Sequence, residues 1–498
     1  MRPRGVGVST PAGAPAPVAA PGRVLLVVAA AVFLASLDLF IVNVAFPDIA
    51  ASFDGASVSS LSWVLNAYAI VFAALLVPAG RFADLVGRRR AFLLGLGVFV
   101  GASALCALAW SVPSLVGFRV LQALGAALLM PSSLALLLDA YPPAGRAKAI
   151  GAWAAAGGVA AALGPPVGGV LVELSWRWVF LVNVPFGVAA VVAGVRILRE
   201  SRDELDRRRP DLVGAAVLVA GVGLLCWGLV DAPDDGWGDP RTLGRLGVGV
   251  LMLVAVVLRS RTVDGRRAPV LELALFRQRP FALATLSALL FSVAFAAMLL
   301  NHVLLMTGPW RASVLTAGLS LAPGPLMAAV FATSSGGLGD RIGQGRRAVL
   351  GNLVFALGCA WWLWRVGPEQ RYVTEVLPGM LLSGIGVGLF LPSVSTAVAA
   401  TLTPQRLASG SAILSAARQL GTVGGVAVLV AVLGTGAASG GIEPFRDGWT
   451  MMLAAALLAG VAAAGIGPDP HPASSDPEGR TGGDRAGVAA GPAAVAAG

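Results

Sequence analysis

The chain runs to 498 residues, of which 57% are hydrophobic and only 12% charged, with a mean hydropathy of +0.81. Soluble domains carry about a quarter charged residues, so composition excludes a water-soluble chain and identifies an integral membrane protein. The net charge of +10 is that of many nucleic-acid binders, but those need a basic stripe on a soluble surface, and its meaning here depends on where the arginines fall.

Residues 1–21 are rich in Pro and Ala and read as a disordered tail. The apolar run from Val24 to Ala45 is too long for a signal-peptide core. A spanning helix needs about 20 mostly apolar residues. In chain order such windows fall near 23–45, 59–79, 91–111, 113–138, 148–173 and 178–198, then near 211–230 and 242–260. The last six lie near 281–306, 313–335, 347–366, 375–398, 408–433 and 446–467, and a second tail, 468–498, follows. Cys106, Cys226 and Cys359 sit singly inside these runs and read as small buried hydrophobes.

An even count of spans joined by short loops puts both termini on one side. Most of the basic residues lie on that side: Arg81, Arg88, Arg89 and Arg90 after the second span, Arg207, Arg208 and Arg209 after the sixth, Arg266 and Arg267 after the eighth. The positive-inside rule therefore makes both termini cytoplasmic. Trp63, Trp110, Trp176, Trp178, Trp237, Trp310, Trp364 and Trp449 fall toward the other face, where an interfacial aromatic belt is expected. The positive charge thus orients helices in a lipid bilayer and implies no nucleic-acid partner.

The chain also repeats itself. Gly80 to Gly87 (GRFADLVG) is echoed by Gly336 to Gly343 (GGLGDRIG), and at the same offset Val167 to Val170 by Val423 to Val426. Gly125 to Ser132 (GAALLMPS) resembles Gly386 to Ser393 (GVGLFLPS). The organisation expected is a tail (1–21), a six-helix bundle (22–198), a linker with two further spans (199–280), a second six-helix bundle (281–467) and a tail (468–498). Two like bundles related by an axis along the membrane normal form a rocking transporter.

Charges inside spans mark the working parts. A carboxylate at mid-span costs about 2.5–3.5 kcal/mol on insertion scales, so Asp38 should face a cavity or a partner and can take and release a proton. The bland alternative is a structural acid beside Asn43 and Pro47. Arg119, at similar depth in the fourth span, is a natural partner for Asp38, or else snorkels to the headgroups. Arg418 lies near mid-membrane and must face protein or water. Asn43, Gln122, Gln419 and His302 join Arg418 as candidates for a cavity or inter-bundle role, although a lone histidine is more often a satisfied interfacial residue. Gly157 to Gly169 is dense in small residues with Pro165 and Pro166, which read as close packing with a kink. Asp84, among the arginines of the first loop, is not explained by membrane anchoring and could cap a neighbouring helix.

From residue 22 to 467 the chain resembles the major facilitator superfamily, and within it the fourteen-span drug:proton antiporter family of EmrB/QacA type. The resemblance implies an all-α polytopic fold and Asp38 as the coupling-proton site, with Arg119 in proton transfer. Gly164, Pro165, Gly168 and Gly169 match the family's antiporter motif, which marks exporters. Gly80, Asp84 and Gly87, with Arg88, match its cytoplasmic loop motif, a latch between bundles, and Asp340, Arg341 and Gly343 form the second copy. Asn183 belongs to a span-six signature that reads as structural, and Arg418-Gln419-Leu420-Gly421 matches a further family pattern. Phe40 stands where a small hydroxyl residue is usual, Ala123 replaces a glycine and Leu85 a basic residue.

No Walker loop, Ser/His/Asp set or metal cluster occurs in the sequence, so an ATP-driven pump or an enzyme is not expected. The expectation is a cofactor-free, proton-driven exporter of small amphipathic compounds such as drugs or antibiotics in a bacterial plasma membrane. The rival is a proton-coupled importer, and more distantly a receptor or scaffold. With Asp38 the one deep acid, neutral, amphipathic or anionic cargo fits better than dications. Arg outnumbers Lys148, the sole lysine, as in GC-rich bacterial genomes. A periplasmic or adaptor partner is not legible in the sequence.

Overall fold

The computed structural model describes residues 21–53, 58–202, 208–263, 267–334, 341–402, 407–434 and 441–467. It is almost wholly helical. The first bundle comprises α1 (Pro21–Ser52), α2 (Val58–Val86), α3 (Arg88–Ala107), α4 (Val112–Ala140) and α5 (Pro143–Leu174), then the short α6 (Trp178–Leu181), which runs on into α7 (Asn183–Ile197). A linker pair follows, α8 (Leu212–Asp235) and α9 (Pro240–Thr262), and a short α10 (Leu273–Phe276). The second bundle holds α11 (Arg279–Thr307), α12 (Val314–Leu321), α13 (Pro323–Ser334), α14 (Gln344–Arg365), a π-helical turn (Tyr372–Val376), α15 (Leu377–Thr401), α16 (Leu407–Leu433) and α17 (Glu443–Ala464). Thirteen helices of the described residues are long and apolar enough to span, and α5, bent by 41° between Ala149–Ala161 and Leu163–Leu174, makes fourteen. The fourteen spans read from the sequence are therefore matched when the bent α5 is taken as one span.

The helix pairing repeats between the bundles. α3 packs on α4 as α14 packs on α15, and α1 on α5 as α11 on α16. The reason is visible in the glycines. A Cβ on Gly125 would lie 2.5 Å from the Phe99 nitrogen, and one on Gly351 only 2.8 Å from the Gly386 oxygen, so both helix pairs touch backbone to backbone. Gly87 (φ 122°) and Gly343 (φ 87°) make the same left-handed turn into α3 and α14, which costs a residue with a Cβ strain that glycine avoids.

The bundles meet in a crossed fashion: α2 against α16, and α5 against α12 but much less against α13. α12 is the segment of its span remote from the termini, so the bundles converge toward the face opposite the termini and part toward the termini. The linker hairpin packs through α8 on both α2 and α16, while α9 turns Leu243, Val250, Leu251, Val254 and Leu258 outward. At its terminal end, Asp211 caps α8 through the Gly214 amide (3.0 Å) and takes two bonds from Arg259 of α9, Nε at 2.9 Å and Nη2 at 2.8 Å.

The tryptophan belt is only partly as expected. Trp110, Trp178, Trp237 and Trp364 are exposed, whereas Trp176, Trp310 and Trp449 are buried. Trp310 donates to the Gly367 carbonyl at 3.2 Å, and Trp176 packs edge-on against Phe180; an indole with an internal site for its ring has no need of the interface. The three cysteines are free and buried.

Candidate functional site

Asp38 on α1 and Arg119 on α4 form a direct ion pair, and neither side chain is exposed at all. Three further helices, α2, α3 and α7, complete the cluster. Arg119 Nη1 reaches Asp38 Oδ2 and also donates to Gln122 Oε1 at 2.6 Å, one turn along α4. Gln122 Nε2 donates to Asp38 Oδ1 at 2.9 Å and to Ser103 Oγ of α3 at 2.7 Å. Asn183 Nδ2, at the start of α7, donates to the same Asp38 Oδ1 at 3.1 Å. Arg119 Nε bonds the Val64 carbonyl of α2 at 3.1 Å, and the guanidinium lies 4.1 Å from the centre of the Tyr68 ring.

The energetics explain this density of donors. Each buried ion loses several kcal/mol of hydration, which a single contact does not return unless the remaining lone pairs and protons are also bonded. Here three side chains donate to one carboxylate, and the guanidinium is shared among a carboxylate, an amide, a carbonyl and a ring face. Nη2 alone finds no acceptor among the described residues. Such a set uses most of the hydrogen-bonding capacity of a buried carboxylate–guanidinium pair, and solvent reaches Asp38 only if helices part.

The segment Gly164 to Gly169 serves two partners. Cβ atoms at Gly164 and Gly168 would lie 2.7 Å from Phe40 Cβ and 2.9 Å from Ile41 Cγ1, so these glycines seat α5 on α1 beside Asp38. Gly169 faces the Leu315 Cα (3.0 Å), and a Cβ on Gly318 would lie 2.5 Å from the Pro165 carbonyl oxygen, so the same segment closes α5 on α12 of the other bundle. Phe40 also reaches across, its ring edge-on to Phe295 of α11 at 6.3 Å.

At the termini-bearing face, Gly80 approaches Pro131 (3.3 Å to a built Cβ) and Gly87 abuts Glu200. Arg88 bonds Asp84 (3.1 Å) and both oxygens of Asp139 (2.9 and 2.7 Å). Glu200 caps α3 through the Arg89 and Arg90 amides at 3.0 and 3.3 Å. In the second copy, Arg341 is exposed and Gly343 makes the turn into α14, while Asp340 lies outside the described residues.

The remaining candidates scatter. Gln122 lies inside the first bundle, not on the space between bundles, because its position on α4 faces α1 and α3. His302 is likewise corrected: it is buried in the second bundle, Nε2 2.6 Å from Ser320 Oγ, beside a water-sized void lined by Met298, Leu305, Trp362, Val376 and Trp449. Asn43 spends its amide on the Leu39 carbonyl of its own helix at 2.9 Å. Gln419 is half-buried, with Oε1 unbonded. Arg418 is the one exposed residue of α16 between Gly410 and Leu433. Asn183, Ser103 and Tyr68 were not legible as site residues: Asn183 stood only in a signature that reads as structural, and Ser103 and Tyr68 are ordinary polar side chains within apolar spans.

Residues 28–426 match the family profile described as Major Facilitator Superfamily. The chain is 35% identical over 434 residues, 86% of its length and 78% of the relative's, to the tetracenomycin C resistance and export protein of Streptomyces glaucescens. It is 32% identical over 408 residues to the multidrug export protein EmrB of Haemophilus influenzae, covering 80% of this chain and 78% of that one. Among solved structures, a POT family transporter in complex with a thioalcohol-conjugated peptide superposes with a TM-score of 0.66 at 15% identity, covering 89% of this chain and 96% of that one; this likeness concerns the fold alone.

Proposed function

The chain belongs to the Major Facilitator Superfamily, and on that premise we propose that it exports small amphipathic compounds from a bacterial cell in exchange for protons. The relatives named for tetracenomycin C export and for multidrug export support the direction and the cargo class. The observation that carries the proton half of the reading is the solvent-free Asp38–Arg119 pair with Gln122 and Asn183.

The termini-bearing face carries Arg81 and Arg88 to Arg90, which under the positive-inside rule supports a cytoplasmic orientation for it. The bundles then part toward the cytoplasm while Asp38 is bonded to Arg119, a state ready to receive cargo from inside. Rocking the bundles so that the α5–α12 contact parts opens the outer side. A proton arriving there neutralises Asp38, and Arg119 loses its counter-ion and must find other acceptors. Return to the inward-open state restores the pair and expels the proton inward. The gradient is the sole energy source in this scheme, and no cofactor takes part.

Inverted membrane vesicles with an imposed acid interior test the reading. Wild type accumulates a fluorescent amphipathic dye, and Asp38→Asn does not. Dye expulsion under the same gradient marks an importer instead.

A further inference from the structure

Arg418 is left over from the proton site, and its setting is unusual. From Gly410 to Leu433 every other residue of α16 is buried or half-buried, against α11, α2, α8, α15 and α17. A helix so covered has no lipid face, and a guanidinium at mid-membrane does not point into hydrocarbon. The exposure of Arg418 therefore opens on the space between the bundles.

Two further observations give that space its chemistry. Arg418 has no ion pair or side-chain hydrogen bond among the described residues. The deep acid nearest in kind, Asp38, is already held by Arg119 inside the first bundle with no exposed surface. Among the described residues the inter-bundle space thus presents a cation without a counter-ion. Its far end is aromatic. Gly421 and Gly425 rest on the Leu289 and Val293 carbonyls of the parallel α11, which sets Phe295 about 13 Å beyond Arg418 along the helix axes at 1.5 Å per residue. There the half-buried rings of Phe295 and Phe40 meet across the bundles.

We propose that Arg418 is the anion-binding group of the substrate site, and that the preferred cargo is an amphipathic anion. A carboxylate, phenolate or sulfonate binds Arg418 through the planar fork of the guanidinium, while a flat apolar body extends toward Phe40 and Phe295. This rests on the exporter reading and narrows it. It also has an energetic consequence: negative charge leaves while a proton enters, so an interior-negative potential drives both movements.

The test is equilibrium binding by titration calorimetry of the purified full-length protein with matched trios built on naphthalene, anthracene and anthraquinone. Each trio comprises a carboxylate, its methyl ester and a methylammonium. Wild type binds the carboxylates at least tenfold more tightly than the esters and ammonium compounds. Arg418→Gln keeps ester binding, which reports an intact fold, and loses the preference; Arg418→Lys retains most of it. The assignment is overturned if no carboxylate binds, if the ammonium compounds bind as tightly, or if Arg418→Gln keeps the preference. A wild-type protein with the preference but without gradient-driven dye accumulation in vesicles refutes the exporter reading and leaves the anion site standing. Accumulation without the preference does the reverse.

Discussion

Arg119 and Asp38 are bonded to each other in the interior of one bundle, with no path from either side chain to solvent. Breaking such a pair by removing one member leaves the other charge stranded, at a cost of about 3–5 kcal/mol. Asp38→Asn and Arg119→Gln are therefore each expected to lower the thermal midpoint of the purified protein markedly. The double variant recovers most of the loss, because neither charge then remains. Equal or additive losses in the double variant contradict a direct pairing.

Asn183 donates to the same oxygen of Asp38 as Gln122. A hydrogen bond to a charged group contributes about 1.5–3 kcal/mol. Asn183→Ala is therefore expected to lower the thermal midpoint of the purified protein, and the loss should shrink in an Asp38→Asn background, where no charged acceptor remains. An equal loss in both backgrounds assigns Asn183 to packing alone.

Gly169 and Leu315 close the bundles on the side away from the termini, with a built Cβ on Gly169 only 3.0 Å from the Leu315 Cα. That approach leaves no room for a side chain on Gly169, so a bulky substituent there wedges the two bundles apart on this side. Gly169→Val should therefore impair closure of this face and lower transport markedly, and Gly169→Ala, which adds a single methyl, should lower it less. Undiminished transport in Gly169→Val shows that closure of this contact is not part of the cycle.

Burial alone would raise the Asp211 carboxyl, but the hydrogen bonds from Arg259 and from the Gly214 amide, with the charges of Arg259 and Arg267, outweigh it and hold the group below its usual range. A depressed folded-state value contributes stability above the unfolded value of about 3.9, lost as pH falls through the folded one. Arg259→Gln should therefore lower the thermal midpoint at neutral pH, and the gap to wild type should close in acid. A gap that persists there assigns the effect to packing between α8 and α9.

The sequence disclosed what the bilayer makes costly and concealed what it tolerates. Asp38, Arg119 and Arg418 stood out because charge inside an apolar span is rare, and the spans themselves because length and hydropathy define them. Ser103, Tyr68 and Asn183 carry no such mark, since a lone hydroxyl or amide is ordinary in a membrane helix. Their convergence on Asp38 and Arg119 depends on the rotation of α2, α3 and α7, which no linear pattern states. His302 illustrates the same limit: a residue step turns a helix face by about 100°, enough to send a side chain into the second bundle instead of the space between the two. The antiporter segment divides its glycines between α1 and α12, a split visible only once both neighbours are in place.

The proposed exchange moves protons and cargo in opposite directions through a cycle centred on Asp38. Proteoliposomes containing a trapped pH-sensitive dye measure this directly when cargo is added to one side and proton flux is read in real time. A cargo-dependent proton current opposite in direction to cargo movement is expected in wild type and absent in Asp38→Asn. Proton movement in the same direction as the cargo, or a cargo flux in wild type that moves no protons, contradicts it.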